Sequence, residues 1–131
     1  MTRKEKAMEL HKSGYNCAQS VIAACCDLVN LDEKTALAIS GGFGGGLRCG
    51  EVCGAVSGGL MVISMAFPFD SLDSENKDKI AAVAKEFCAA FKEQYGAIRC
   101  DDLLAERDKK EFCRPAIGVV TELVEKFVLG K

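Results

Sequence analysis

The residues from Gly41 to Gly59 contain nine of the chain's 13 glycines, and this density constrains the fold more than any other feature. Glycine adopts positive φ angles and lets two backbones approach closely, but it weakens regular helices and strands. We therefore expect a loop here that folds tightly around a group or is crossed closely by another segment. Cys49 and Cys53 lie inside this stretch, so the groups that their thiols face are central to the function.

The size and composition of the chain are typical of one soluble domain, and we assign residues 1–131 to it. Its 131 residues are 49% hydrophobic, which is enough for a core. A net charge of -2 and a pI of about 5.5 leave no basic surface for nucleic acid. No apolar segment follows the charged first residues, and the longest apolar stretch, residues 60–67, is too short to cross a membrane. We expect a cytoplasmic protein with no signal peptide and no membrane insertion.

Apolar residues recur at helical spacing along most of the chain, and no strand-like alternation is present. This pattern predicts an all-α bundle of about six to seven helices with the glycine-rich loop between two of them. The predicted helices cover residues 3–13, 17–29, 33–39, 53–65, 75–95, 103–107 and 115–129. The predicted N-caps are Asn16 (in a capping box with Gln19), Asp32, Ser74, and Asp101 or Asp102, and Pro115 is expected at the first position of the last helix.

Eight cysteines without an export signal predict free thiols, because structural disulfides are uncommon in a reducing compartment. Three lie inside predicted helices among apolar neighbours and are expected to pack in the core: Cys25, Cys26 and Cys88. Four lie at or just before predicted helix N-termini: Cys17, Cys53, Cys100 and Cys113. Free N–H groups and the helix dipole stabilise a thiolate, so we expect lowered pKa values at these four. We assign catalytic or metal-ligating roles to them.

Cys49 is the remaining thiol, and its spacing from Cys53 differs from the Cys-x-x-Cys of thioredoxins and zinc ribbons. We place Cys49 and Gly54 at cofactor-binding positions of the glycine-rich stretch, whose N–H groups can bond to a cofactor. His11, the single histidine, is expected at the surface with no metal-binding role. A metal site in this chain would then consist of cysteines alone, as zinc sites and iron–sulfur clusters do.

The same residues carry a resemblance to a known family. The segments Gly14-Tyr15-Asn16-Cys17-Ala18-Gln19 and Glu51-Val52-Cys53-Gly54-Ala55-Val56-Ser57-Gly58, with Gly41–Gly46 before the second, resemble motifs of the C_GCAxxG_C_C family of proteins described as redox-active. The resemblance implies that the characteristic cysteines of the family are Cys17, Cys53, Cys100 and Cys113 here, and it gives Cys49 no role. It also implies a relation to a domain of split-Soret cytochromes, in which cysteines are associated with an iron–sulfur cluster. The Cys-x-x-Cys-His that attaches a c-type haem is absent from this sequence.

Four functions remain open from the sequence. The first is electron transfer by an iron–sulfur cluster held by the four cysteines, and the second is thiol–disulfide chemistry with Cys53 as the reactive thiol and no cofactor. The third is a structural zinc site, which is less expected because the four cysteines are scattered, and the fourth is a helical binding protein without redox chemistry. Whether the protein is an enzyme is left open. The redox partner is unspecified, and the small residues of Gly54–Gly59 would permit a homodimer.

Overall fold

The computed structural model describes residues 1–130 and confirms the all-α fold class. Its helices are α1 (Arg3–Ser13), α2 (Cys17–Cys25), α3 (Glu33–Ser40), α4 (Gly54–Ala66), α5 (Asn76–Tyr95), α6 (Cys100–Leu104) and α7 (Lys109–Leu129). A short 3₁₀ turn, Cys26–Val29, continues α2, and a tight turn, Gly46–Gly50, precedes α4. No helix in residues 1–130 combines the length and apolarity needed to cross a bilayer.

Helices α2 and α3 begin where their predicted capping residues place them. Asn16 caps α2 through a complete capping box, in which its side chain accepts from the Gln19 N–H at 2.9 Å. Asp32 caps α3 by accepting from the Thr35 N–H at 3.0 Å. These local bonds fix the chain direction at the start of each helix, and the first of them also fixes the position of Cys17.

Pro115 does not begin the last helix, which corrects the sequence prediction. Helix α7 starts six residues earlier, because Asp108 accepts a hydrogen bond from the Glu111 N–H at 3.0 Å and caps it there. Pro115 therefore lies inside the helix, where it lacks the N–H that would bond to the Glu111 carbonyl. Cys113 consequently lies within α7, and not at its N-terminus.

The short helix α6 and the long helix α5 also start differently from the prediction. Asp101 and Asp102 are not caps but lie in the first turn of α6, with Arg99 at the N-cap position and no side-chain cap bond. Their carboxylates still favour the positive end of the helix. Ser74 lies two residues before α5, yet its hydroxyl accepts from the Asn76 N–H at 3.1 Å, so it performs the predicted capping from one residue further out.

Helices α2, α4 and α7 pack against one another at the centre, α1 covers α2 and α7, and α5 packs on α4 and α7. Two glycines of α4 permit this close packing. A Cβ added at Gly58 would lie 2.5 Å from the Ala18 carbonyl oxygen, and one at Gly59 would lie 2.9 Å from both Phe87 and Val124. The core contains fully buried apolar side chains from several helices, among them Ile22, Ile63, Phe87, Phe91, Ile117 and Val120. Each contributes roughly 1.5–3 kcal/mol by its removal from water.

Candidate functional site

One cavity of about 360 Å³ lies where the starts of α2, α4 and α6 meet the first turns of α7. Its wall contains four cysteines, each from a different helix or helix start: Cys17, Cys53, Cys100 and Cys113. The volume is at the lower end of the range for small-molecule sites. The structure therefore brings together the four thiols that the sequence singled out, although they are far apart along the chain.

Cys53 and Cys100 are held side by side by a short antiparallel backbone pairing. Val52 and Arg99 form an isolated β-bridge. The Cys53 N–H donates to the Ile98 carbonyl at 2.9 Å, and the Cys100 N–H donates to the Glu51 carbonyl at 2.6 Å. Because these bonds involve the backbone of the cysteines themselves, they set the separation of the two residues without help from side-chain packing. No periodicity in the sequence indicates so short a pairing.

Cys17 is positioned by the capping box at the start of α2 and by the absence of a side chain on Gly54. A Cβ at Gly54 would overlap the Cys17 sulfur and would lie 2.9 Å from the Phe43 carbonyl oxygen. The Asn16 side-chain amide also donates to the Gly41 carbonyl at 3.0 Å, which ties the start of α2 to the glycine-rich stretch. Glycine at position 54 therefore leaves the space that the Cys17 sulfur occupies beside Cys53.

The glycine-rich stretch folds into a left-handed turn beside the cavity. Four consecutive residues from Gly45 to Arg48 have φ between 60° and 66°. Leu47 and Arg48 are not glycine, and each adopts this conformation at a cost of roughly 1–2 kcal/mol. The turn carries Arg48 to the wall of the cavity and leaves Cys49 exposed to solvent. Cys49 does not line the cavity, and its thiol lies 3.6 Å from the Gly46 carbonyl oxygen.

Burial raises the pKa of Cys53, Cys100 and Cys113, which is opposite to the sequence prediction for these three thiols. It raises the pKa of Cys53 to about 12, with a further contribution from the charge of Cys17, although the N–H groups of Val56 and Ala55 act in the other direction. Burial likewise raises the pKa of Cys113 to about 11 and raises that of Cys100. Desolvation thus outweighs the helix N-terminus, because a thiolate out of water loses more than two N–H bonds restore.

The cysteines assigned to the core behave as predicted. Cys25 and Cys26 are buried in α2 and at the start of the turn that follows it, and Cys88 is half-buried on α5 against the core. Burial raises the pKa of Cys25 to about 12. None of the three lines the cavity. Their apolar neighbours in the sequence are therefore a reliable indication of packing.

His11 and Arg114 belong to the cavity wall, and the sequence reasoning missed both. The Arg114 Nε–H donates to the His11 Nδ1 at 3.2 Å, so this bond joins α7 to the last turn of α1. Burial, then the charges of Arg114 and Lys109, lower the pKa of His11. The available signal was the short Gly14-Tyr15 link, which turns the chain back and places the end of α1 beside the start of α2.

The four thiols provide the right donor chemistry for a metal centre, but not the spacing for a single ion. Within residues 1–130, no group of three or more His, Cys, Asp or Glu side chains is arranged to hold a metal ion. A tetrahedral zinc site places its thiolates about 2.3 Å from one ion and so draws them into mutual contact. The cysteines here instead line the wall of a cavity.

The protein is thus an all-α bundle that gathers cysteines from four helices or helix starts around one small cavity. The particular family follows from comparison with known families. Residues 15–127 match the family described as "Putative redox-active protein (C_GCAxxG_C_C)", and the chain belongs to it. The resemblance stated from the sequence is confirmed. Neither curated proteins nor solved structures give a significant match.

Proposed function

We propose that Cys17, Cys53, Cys100 and Cys113 hold an iron–sulfur cluster and that the protein transfers electrons. The observation that supports this proposal is that the structure divides the eight cysteines into two groups. Four line one cavity, while the other four are packed in the core or exposed on the neighbouring turn. A reversible disulfide needs only two cysteines, whereas the common iron–sulfur clusters take four thiolates.

The spacing of the thiols favours a cluster over a structural zinc ion. One zinc ion requires its ligands within touching distance, and the described residues offer no such group. The irons and bridging sulfides of a cluster stand between the cysteines, so its ligands are further apart and enclose a volume. The cavity between these four thiols supports that second arrangement. When bound, such a cluster supplies one-electron chemistry at a potential that its surroundings set.

The protein's own residues have three tasks in this proposal. The cysteines provide the ligands, and the first N–H groups of α2 and α4, including that of Gly54, are unpaired within their helices and can donate to sulfur. Cys53 is only 8% exposed, so little water reaches its thiol. Gly54 leaves the space that a side chain would otherwise fill.

Anaerobic reconstitution with iron and sulfide tests the proposal. We expect visible absorption and stoichiometric iron and sulfide in the natural protein, and loss of both in the single variants Cys17→Ser, Cys53→Ser, Cys100→Ser and Cys113→Ser. The matched controls are Cys49→Ser, on the adjacent exposed turn, and Cys88→Ser, on α5. Circular dichroism checks that each variant is folded. Equal iron loading in the two sets of folded variants would contradict the proposal.

A reversible disulfide between Cys17 and Cys53 is the second candidate, and one contact favours it. The Cys17 sulfur lies against Gly54, the residue that follows Cys53, and the charge of Cys17 is the largest charge effect on the Cys53 thiol. Cys17 is half-buried and Cys53 is buried, so we assign the first attack to Cys17 and the resolving step to Cys53. The two thiols lose two protons and two electrons, and a low-molecular-weight disulfide accepts them and is reduced to two thiols.

Mass spectrometry of the metal-free protein after mild treatment with oxidised dithiothreitol tests this candidate. The expected product has lost two hydrogens, and digestion yields a peptide pair joined through Cys17 and Cys53. Cys100→Ser should leave the pair intact, whereas Cys17→Ser should abolish it. A pair that joins other cysteines, or no pair at a potential where control dithiols oxidise, excludes the assignment.

A further inference from the structure

The wall of the cavity carries positive charge only. Among residues 1–130, four cationic side chains line it, Arg48, Lys109, Lys110 and Arg114, and no Asp or Glu does. The chain as a whole contains 17 Lys and Arg residues and 19 Asp and Glu residues. The described wall of this cavity therefore differs in charge from the chain as a whole, because it combines four cations with no carboxylate.

These four cations also lack the ion pairs that Arg3, Lys4, Lys6 and Arg99 make. Arg3 pairs with Asp27 and Glu125 at 2.8 and 2.9 Å, and Arg99 pairs with Glu51 at 3.2 Å. Lys4 and Lys6 have carboxylate partners as well. Across residues 1–130, none of the four cations of the cavity wall takes part in an ion pair within 4.0 Å. Their charge is available to a ligand.

The local structure adds to this positive charge. Lys109 and Lys110 occupy the first two positions of α7, between the capping residue Asp108 and Glu111, and neither of those two carboxylates lines the cavity. Lys109 acts electrostatically on His11, Cys100 and Cys113, which places its ammonium on the cavity side of the helix. Arg114 is oriented through its Nε bond to His11, and its two terminal nitrogens make no other hydrogen bond within residues 1–130.

We propose that the mouth of this cavity binds a small anion, an oxyanion or a carboxylate, beside the four cysteines. The concave shape and the volume of about 360 Å³ suit a small molecule, and the acidic surface outside the cavity repels extended polyanions. The inference concerns the same cavity as the function proposed above but does not depend on it. Anion binding itself is a property of the reduced, metal-free chain and can be measured there.

Titration of the reduced, metal-free protein with sodium sulfate, followed by ¹⁵N NMR at constant ionic strength in sodium chloride, tests the inference. Saturable amide shifts are expected at Arg48 and from Lys109 to Arg114. The double variant K109Q/K110Q should weaken sulfate binding about tenfold or more, and R114Q about tenfold, because a charged hydrogen bond contributes about 1.5–3 kcal/mol. The matched control is K77Q/K79Q, which removes two exposed cations from α5 and should change affinity less than about twofold.

The outcomes separate this inference from the proposed function. Saturable sulfate binding by the natural protein, together with failed iron reconstitution of that same protein, supports the anion site and removes the cluster. A protein that takes up iron but gives no saturable sulfate shifts overturns the anion site and leaves the cluster. Equal weakening by K77Q/K79Q and K109Q/K110Q also overturns it, because sulfate would then respond only to net charge.

Discussion

Glycine is abundant on both sides of Cys53, but for different physical reasons. In residues 45–50 it supplies backbone angles, with positive φ at Gly45, Gly46 and Gly50. In α4 it supplies space, because Gly54, Gly58 and Gly59 have negative φ but face atoms that a side chain would overlap. The turn is therefore constrained by its own conformation and, at Gly46 and Gly50, by neighbouring atoms as well, whereas the helix is constrained by its neighbours alone. The cavity lies where these two kinds of constraint meet.

Gly58→Ala should have the largest effect, because the obstacle is backbone. The added Cβ would lie 2.5 Å from the Ala18 carbonyl oxygen, so α2 and α4 must move apart. We expect the free energy of unfolding to fall by about 3 kcal/mol, measured by urea denaturation. Gly42→Ala is the control, since nothing lies within 4 Å of its Cβ and its φ is not positive. If Gly58→Ala were as stable as Gly42→Ala, the absence of a side chain at position 58 would not be required for the packing of α2 against α4.

Gly54→Ala should have an intermediate effect on stability and a strong effect on the site. Its Cβ would overlap the Cys17 sulfur, which can move, and would press against the Phe43 carbonyl, which cannot move without shifting the loop. We expect a loss of about 2 kcal/mol in urea denaturation. Iron loading after reconstitution, or the yield of the Cys17–Cys53 disulfide, should fall as well. In the control Gly41→Ala the nearest atoms lie at 3.7 Å, so both measurements should be unchanged.

Leu47→Gly should have the smallest effect, and in the opposite direction. Leu47 has a φ of 60° and is 45% exposed, so glycine relieves strain and little burial is lost. The greater entropy of glycine in the unfolded chain offsets part of the gain, and we expect about 0.5–1 kcal/mol of stabilisation. Leu72→Gly is the control, because Leu72 is 91% exposed and its φ is not positive. Destabilisation by Leu47→Gly equal to that in the control would show that the left-handed turn stores no strain.

Local signals in the sequence predicted most of the fold. The all-α class, the capping box at Asn16 and the buried Cys25 follow from hydrophobic spacing and side-chain chemistry close to each residue. The start of α7 did not, because Pro115 and Asp108 are both good starting signals and the side-chain bond of Asp108 prevailed. The loop around Gly46 was predicted as a loop, but its left-handed conformation was not, because Leu47 and Arg48 give no local signal for positive φ.

The sequence predicted which cysteines form the candidate site, but it did not predict their pKa values or the positive charge around them. The helix starts drew attention to Cys53 and Cys100, and the structure places both in the cavity wall. Their pKa values depend on burial by distant segments, which a local sequence pattern does not report. The cationic wall was missed for the same reason. Lys109 and Arg48 are ordinary surface residues in the sequence, and only the fold shows that they share a cavity without carboxylates.

The distribution of the cavity wall along the chain has a consequence for biosynthesis. His11 comes from the first helix and Cys113 from the last, and those two helices pack against each other. A nascent chain that still lacks α7 contains Cys17, Cys53 and Cys100, but not the helix that supplies Cys113 and the rest of the cavity wall. A ligand that all four cysteines enclose could therefore be fully enclosed only after α7 has been synthesised.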